Sequence, residues 1–326
     1  MRTPHKLAQG LLARDLMTWV RVEFLGAATG LGLLEALREP RTEAALARDL
    51  GITNIELLGS LLSLGESLGE LERADESWTL CGRRAKAFSD PAVEGLAGLV
   101  QEAVAYDADA YRGLPGRLRG DPSGDYLAEH GPLVATASRA AEPVLAALVR
   151  DLVGRSRPRR LLDVGCGTGI YLRCAGEASE SLNAVGIDVD PSVVELARRN
   201  LQTWGLASRF EVKQADLRSL PPELEGPWDM ILLFQNLYYF APDERHTVLT
   251  RLRNLAPNGV LAVATAVADS GDAIARHLDL VLRSTIGNYP LSTTAEIGNE
   301  LRSAGFATLD QRRLAPRQPL RAFIAS

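Results

Sequence analysis

The sequence predicts an α/β protein in two parts: a mainly helical front over residues 1–115 and a seven-stranded sheet with crossover helices over 116–326. Three observations predict it. Apolar residues in the first third recur at helical spacing, and from Arg160 onward short apolar runs alternate with helix-length segments. The first of those runs ends in a glycine-rich turn.

Composition narrows the class. With 326 residues, 46% of them hydrophobic, the chain has room for two ordinary domains and a substantial core. A formal charge of −5 disfavours nucleic acid or an anionic membrane as partner, since both reward a basic face. Cys81, Cys166 and Cys174 make an odd set without ligand spacing, which points to a reducing, cytoplasmic setting. The opening MRTPHKLAQGLLARDLM lacks the apolar core and cleavage site of a signal peptide. No run is long enough to span a bilayer.

In the front, residues 11–38 read as one helix, with Leu12, Leu16, Val20, Phe24, Leu31, Leu34 and Leu37 on its apolar side. Thr42 suits the N-cap of a helix over 43–50 that Gly51 ends, and Asn54 the cap of a helix over 55–68. Residues 70–80 fit a small hairpin, completing a winged-helix-like outline. Helices are expected over 91–112 and about 133–153, with a Gly/Pro/Arg-rich linker at 113–124 between them. The strands of the second part fall at 160–164, 183–187, 209–213, 229–234 and 259–265, with two more at about 305–313 and 319–325.

The strongest signal is Leu161-Leu162-Asp163-Val164-Gly165-Cys166-Gly167-Thr168-Gly169, a buried strand that turns on glycines into a helix. Glycines there allow a sharp turn and let a ligand approach the backbone. The next strand ends at Asp188, 25 residues after Asp163, near the spacing at which an acid meets ribose hydroxyls. Asp190 before Pro191 reads as the cap of the following helix rather than as a ligand. Asp216 follows the third strand, where a carboxylate can accept from an adenine amino group or cap a turn.

This segment, over residues about 160–265, resembles the class I S-adenosylmethionine-dependent methyltransferases, whose sheet is Rossmann-like. The resemblance implies S-adenosylmethionine as cofactor and S-adenosylhomocysteine as product. It places Asp163, Gly165, Gly167 and Gly169 by the methionine and ribose, Asp188 with Val189 at the ribose hydroxyls, and Ala215, Asp216 and Leu217 by adenine. Gln235 and Asn236 would border the methyl-donor pocket. The stretch GLGLLEALREPRTEAALARDLGI and its hairpin look like the N-terminal dimerisation module of small-molecule O-methyltransferases, which implies a homodimer. Binding of DNA by the helix over 54–68 is disfavoured, because it has Glu56 and Glu66 and no Lys or Arg.

The implied reaction is in-line methyl transfer, without metal, to a small secondary-metabolite acceptor. Where plant-type members have a His-Asp-Trp base, this chain has Leu237-Tyr238-Tyr239-Phe240, so the catalytic candidates are Tyr238 and His130. His246 reads as a surface residue and His277 as packed. Tyr106, Tyr111, Tyr126 and Tyr239 are the candidates to line the acceptor. No acidic or His/Cys cluster suggests a metal. The missing histidine leaves cyclisation of the cofactor, or electrostatic use of it, open beside transfer, and a non-catalytic ligand-binding homologue is a further reading.

Overall fold

A computed structural model describes residues 4–125, 130, 133–134, 136–315 and 318–326. The chain forms two compact units, one of Met1–Pro115 with Tyr126–Ala141 and one of Gly116–Asp125 with Glu142–Ser326. No helix among the described residues is long and apolar enough to cross a membrane.

In the first unit the expected single helix is two, Pro4–Gly30 and Leu33–Ala36. The break falls at Gly32, whose φ of +75° no helix can continue. Thr42 caps Glu43–Asp49 by accepting from the Ala45 amide, and Asn54 caps Ile55–Ser67 by accepting from Leu57. The hairpin, β2 (Leu71–Ala74) and β3 (Ser77–Leu80), has an unforeseen third strand, β1 (Arg41–Thr42), paired antiparallel to β3. Two residues are too short to show a strand period, and Thr42 signals only its cap. Phe24, Leu34, Leu46, Leu62, Leu71 and Trp78 form this unit's core.

The helix expected over 91–112 is segmented. A 3-10 turn at Pro91–Val93 leads to a helix at Glu94–Glu102, a π turn at Ala103–Asp107 and a helix at Ala108–Arg117. The last of these corrects the linker, because residues 113–117 stay helical despite Pro115. Proline there removes a single amide donor close to the helix end, where little ladder remains to be broken. Residues 136–141 return to this unit, their backbone lying so close to Gly95 and Gly98 that a Cβ on Gly98 would stand 2.8 Å from the Ala137 nitrogen.

The second unit is a seven-stranded sheet in the order β6-β5-β4-β7-β8-β10-β9. β4 (Arg160–Val164), β5 (Asn183–Asp188), β6 (Phe210–Gln214), β7 (Met230–Phe234) and β8 (Val260–Ala266) run parallel. β10 (Leu320–Ala325) lies antiparallel between β8 and β9 (Leu309–Arg313). All five residues of β7 are buried, as a central strand covered on both faces requires. The strand order reverses at β4, so the connections leaving β4 and β7 part company there and open a crevice at their carboxyl ends.

Gly65→Ala tests the first core. Alanine favours a helix by about 1 kcal/mol, but its Cβ would stand 2.6 Å from Phe24 Cζ and 2.7 Å from Leu71 Cδ1. Crowding wins, and the variant should lose about 1–2 kcal/mol and melt a few degrees lower by calorimetry.

Candidate functional site

The crevice begins at the glycine turn. Gly165 and Cys166 donate their amides to the Ile187 carbonyl at 2.8 and 3.0 Å, which folds the turn over the end of β5. Gly165, Gly167 and Gly169 have φ of +67°, +53° and +82°, a region that side chains disfavour. Their surroundings differ. A Cβ on Gly165 would run into the Asn236 amide, whereas one on Gly167 would meet nothing within 4 Å among the described residues. Gly165 therefore serves internal packing, and Gly167 leaves backbone open to an incoming ligand.

Asp188 holds the turn in place. One carboxylate oxygen accepts from the Gly167 amide at 3.1 Å, and the other from the Asp190 amide at 3.1 Å. Each keeps a further lone pair to offer a diol. Val189 beside it is exposed. Asp190 caps Pro191–Thr203 through Ser192 and Val193, as its sequence context predicts. Ala215 donates its amide to the Asp188 carbonyl at 3.0 Å, bringing the loop after β6 to the same edge. Asp216 accepts from the Arg218 amide and caps the 3-10 turn Leu217–Ser219. The Leu217 side chain packs into the core, so only its backbone is left to face a ligand.

Asp163 is 1% exposed, and its Oδ2 has no hydrogen-bond partner among the described residues. Burial, and secondarily the Asp188 charge, push its carboxyl up to about 7. Across the crevice, Gln235 takes a φ of +57° directly after β7, donates its backbone amide to the Ala264 carbonyl and has a buried Oε1 unpaired among the described residues. Asn236 donates its side-chain amide to the Val164 carbonyl at 2.7 Å, joining the β7 loop to the β4 turn. Sequence reasoning missed Tyr171, whose ring meets Phe234 edge-on at 5.2 Å and whose phenol burial pushes up. The signal was its place in the first turn of the helix that the glycines open.

Beyond Asn236 the chain makes a 3-10 turn, Leu237–Tyr239. The Tyr238 and Tyr239 rings lie 4.8 Å apart, and Tyr238 packs against the Ala266, Leu282 and Leu291 cluster. Two arginines fasten this turn and the residues after it. Arg218 donates to the Tyr239 carbonyl and pairs with Glu244. Arg245, 4% exposed, donates to the carbonyls of Phe240 (3.0 Å) and Pro290 (2.9 Å) and to Ser292 Oγ.

His130, Tyr106, Tyr111 and Tyr126 belong to the first compact unit, whereas His246 and His277 belong to the second. His130 Nε2 is 3.1 Å from Asp109 Oδ2, and its ring stands perpendicular to Tyr106 at 6.3 Å. Tyr106 is buried within the π turn, a distortion common at functional sites. Tyr111 is exposed, and Tyr126 lies outside the described residues. His246 is exposed and meets Ser303, and His277 is half-buried. Among the described residues no group of three or more His, Cys, Asp or Glu side chains could hold a metal ion.

Residues 161–259 match the family model of a methyltransferase domain. The demethylspheroidene O-methyltransferase of Cereibacter sphaeroides is 27% identical over 94% of this chain and 83% of its own. Human N-acetylserotonin methyltransferase, solved with S-adenosylmethionine, superposes with a TM-score of 0.79 at 17% identity over 100% of this chain and 99% of its own. An O-methyltransferase family protein from Burkholderia thailandensis gives 0.76 at 19% identity over 96% of both chains. These two structures establish the fold across both units.

The isolation of Asp163 has a cost that can be measured. Unfolded, its carboxyl ionises near 3.8, and folded near 7, so between those values the native state holds a proton that the unfolded chain has lost. Stability of the ligand-free protein therefore falls as pH rises from about 4 to 7. Asp163→Asn cannot ionise and should gain about 2–4 kcal/mol at pH 8 and nothing at pH 4, read from melting curves. An equal effect at both pH values would mean that Asp163 is not an isolated buried acid.

Proposed function

From a chain that belongs to the S-adenosylmethionine-dependent methyltransferases, we propose an enzyme that methylates a hydroxyl of a small, largely apolar acceptor. The observation that carries the reading is the pairing of an open Gly167 backbone with two carboxylates, Asp188 fastened to the turn and Asp163 with its Oδ2 unpaired among the described residues. Bound S-adenosylmethionine supplies an activated, cationic methyl donor. Asp188 suits its ribose diol, Asp216 and the Ala215 and Leu217 backbone its adenine, and Asp163 with Gln235 its positively charged methionine end.

Little covalent assistance is required of the protein, and positioning with exclusion of water supplies much of the rate. A hydroxyl acceptor gains from a base. Tyr238 is held in an aromatic and aliphatic wall, which favours shaping the acceptor over taking its proton. His130, whose Nε2 lies 3.1 Å from Asp109 Oδ2, is the other candidate base. The hydroxyl specificity is supported by the likeness to the Cereibacter O-methyltransferase, and the apolar acceptor by the Tyr238–Tyr239 wall.

A homodimer is part of this reading. Helix Pro4–Gly30 leaves Leu11, Leu12, Leu16, Met17 and Trp19 about half exposed, an apolar stripe suited to a second copy of the chain. Light scattering should return twice the chain mass, and Leu16→Glu with Trp19→Glu should return it to one.

The decisive experiment is mass spectrometry of the protein incubated with S-adenosylmethionine and small-molecule extracts. S-adenosylhomocysteine formed only with extract supports transfer, whereas methylthioadenosine formed without extract would replace it by cyclisation. Asp188→Ala should weaken cofactor binding by roughly 1–3 kcal/mol in calorimetry, because it removes charged acceptors.

A further inference from the structure

The two sides of the crevice are carried by strands that do not touch. Asp216 follows β6 and the tyrosine turn follows β7, and β5 and β4 stand between these strands in the sheet. No ladder hydrogen bond can therefore hold one loop to the other, and Arg218 does so instead. Its backbone amide donates to Asp216 Oδ1 at 2.9 Å, and Nη1 of its guanidinium lies 3.5 Å from the same oxygen. The rest of the fork reaches across. Nε and Nη2 donate to the two Glu244 oxygens at 2.6 and 3.2 Å, and Nη2 also donates to the Tyr239 carbonyl at 3.2 Å. The guanidinium carbon lies 4.7 Å from the centre of the Phe240 ring.

A second arginine returns the grip. Arg251, on the helix Pro242–Leu255 that follows the tyrosine turn, donates to the Arg218 carbonyl at 2.8 Å. Glu244 accepts from the Ala241 amide as well, so it caps its own helix independently of Arg218. The Arg218 and Glu244 side chains are 43% and 30% exposed, and an ion pair so wetted adds little to stability. What a planar, two-pronged fork adds is fixed geometry. The turn it holds needs that help. Its Tyr239 and Phe240 amides close onto the Asn236 and Leu237 carbonyls at 3.1 and 3.2 Å in a single 3-10 turn, whose hydrogen bonds are poorly aligned.

We propose that Arg218 is a positioning residue that couples the two sides of the site. A ligand seated against Asp216 restrains the Arg218 backbone, and the guanidinium passes that restraint to the turn bearing Tyr238 and Tyr239. This rests on the methyltransferase reading and adds to it how the cofactor readies the acceptor wall. No bond is made or broken in the coupling, and no change of shape is required. Ordering one loop lowers the freedom that the other has left to lose.

Hydrogen exchange of the full chain, read by mass spectrometry with and without S-adenosylhomocysteine, tests the coupling. This ligand carries the adenine and has no methyl group to give. Binding should slow exchange over residues 163–169 and 188–193, and slow it about fivefold over 237–245. Arg218→Ala should lose the slowing at 237–245 alone, with ligand affinity changed by no more than about threefold. Arg218→Lys should recover part of it, because an ammonium can meet Glu244 without the fork that reaches the other acceptors. Glu244→Gln keeps an oxygen for the Ala241 amide and should reproduce the alanine variant, which guards against a fold defect in Arg218→Ala. Slowing at 237–245 that survives these variants, or that is missing from the unaltered protein while the glycine turn is protected, overturns the inference and leaves the methyltransferase reading standing. Loss of ligand binding in Arg218→Ala also overturns it, by making Arg218 a ligand contact. An unaltered protein that binds no S-adenosylhomocysteine overturns both.

Discussion

The Asp188 carboxylate accepts the Gly167 amide with one oxygen and the Asp190 amide with the other, and three elements keep their places through it. The glycine turn, the end of β5 and the start of helix Pro191–Thr203 all meet at this one side chain. Strand order reverses beside it, so the crevice that the topology opens is lined by backbone already fixed in place. A carboxylate holding two amides is a stronger tie than a neutral acceptor would make. The Gly167 backbone that it holds has open space where a Cβ would stand, so a single side chain fixes the most accessible part of the turn.

A second set of ties governs the far side. Asn236 fastens the loop after β7 to the β4 turn, while Arg218 and Arg245 hold the Tyr239 and Phe240 carbonyls. The tyrosine pair is thus fixed at both ends. Among the described residues Arg245 meets neutral acceptors at hydrogen-bonding distance, two carbonyls and a hydroxyl, while Glu300 and Glu296 act on it from further away. Its role is geometric, tying residues 290–292 to the wall that Tyr238 and Tyr239 form.

Much of this was legible before any coordinates. The strand–turn–strand order, the caps at Thr42, Asn54 and Asp190, and the turn glycines announce themselves through local chemistry, because each depends on residues a few positions apart. What stayed hidden depends on distant partners or on backbone geometry without a residue signature. The third wing strand is too short for a period, the π turn at Tyr106 looks like any helix, and Gln235 is an unusual residue at positive φ. The Asp109–His130 pair spans 21 positions, and the isolation of Asp163 is a statement about what does not surround it. Glycine and proline at 113–117 misled because composition marks a linker even where the chain goes on coiling.

The division of the chain into units has a meaning in time as well as in space. The first unit takes Met1–Pro115 and then, after ten residues that belong to the second, Tyr126–Ala141. On a ribosome, the backbone that seats against Gly95 and Gly98 is therefore synthesised after the chain has already begun the other unit. The front part can close only once residue 141 has left the exit tunnel, and by then part of the sheet-bearing unit is already waiting outside. Maturation of the two is interleaved, and a gene fusion cut at residue 115 would deliver a front half lacking its last piece.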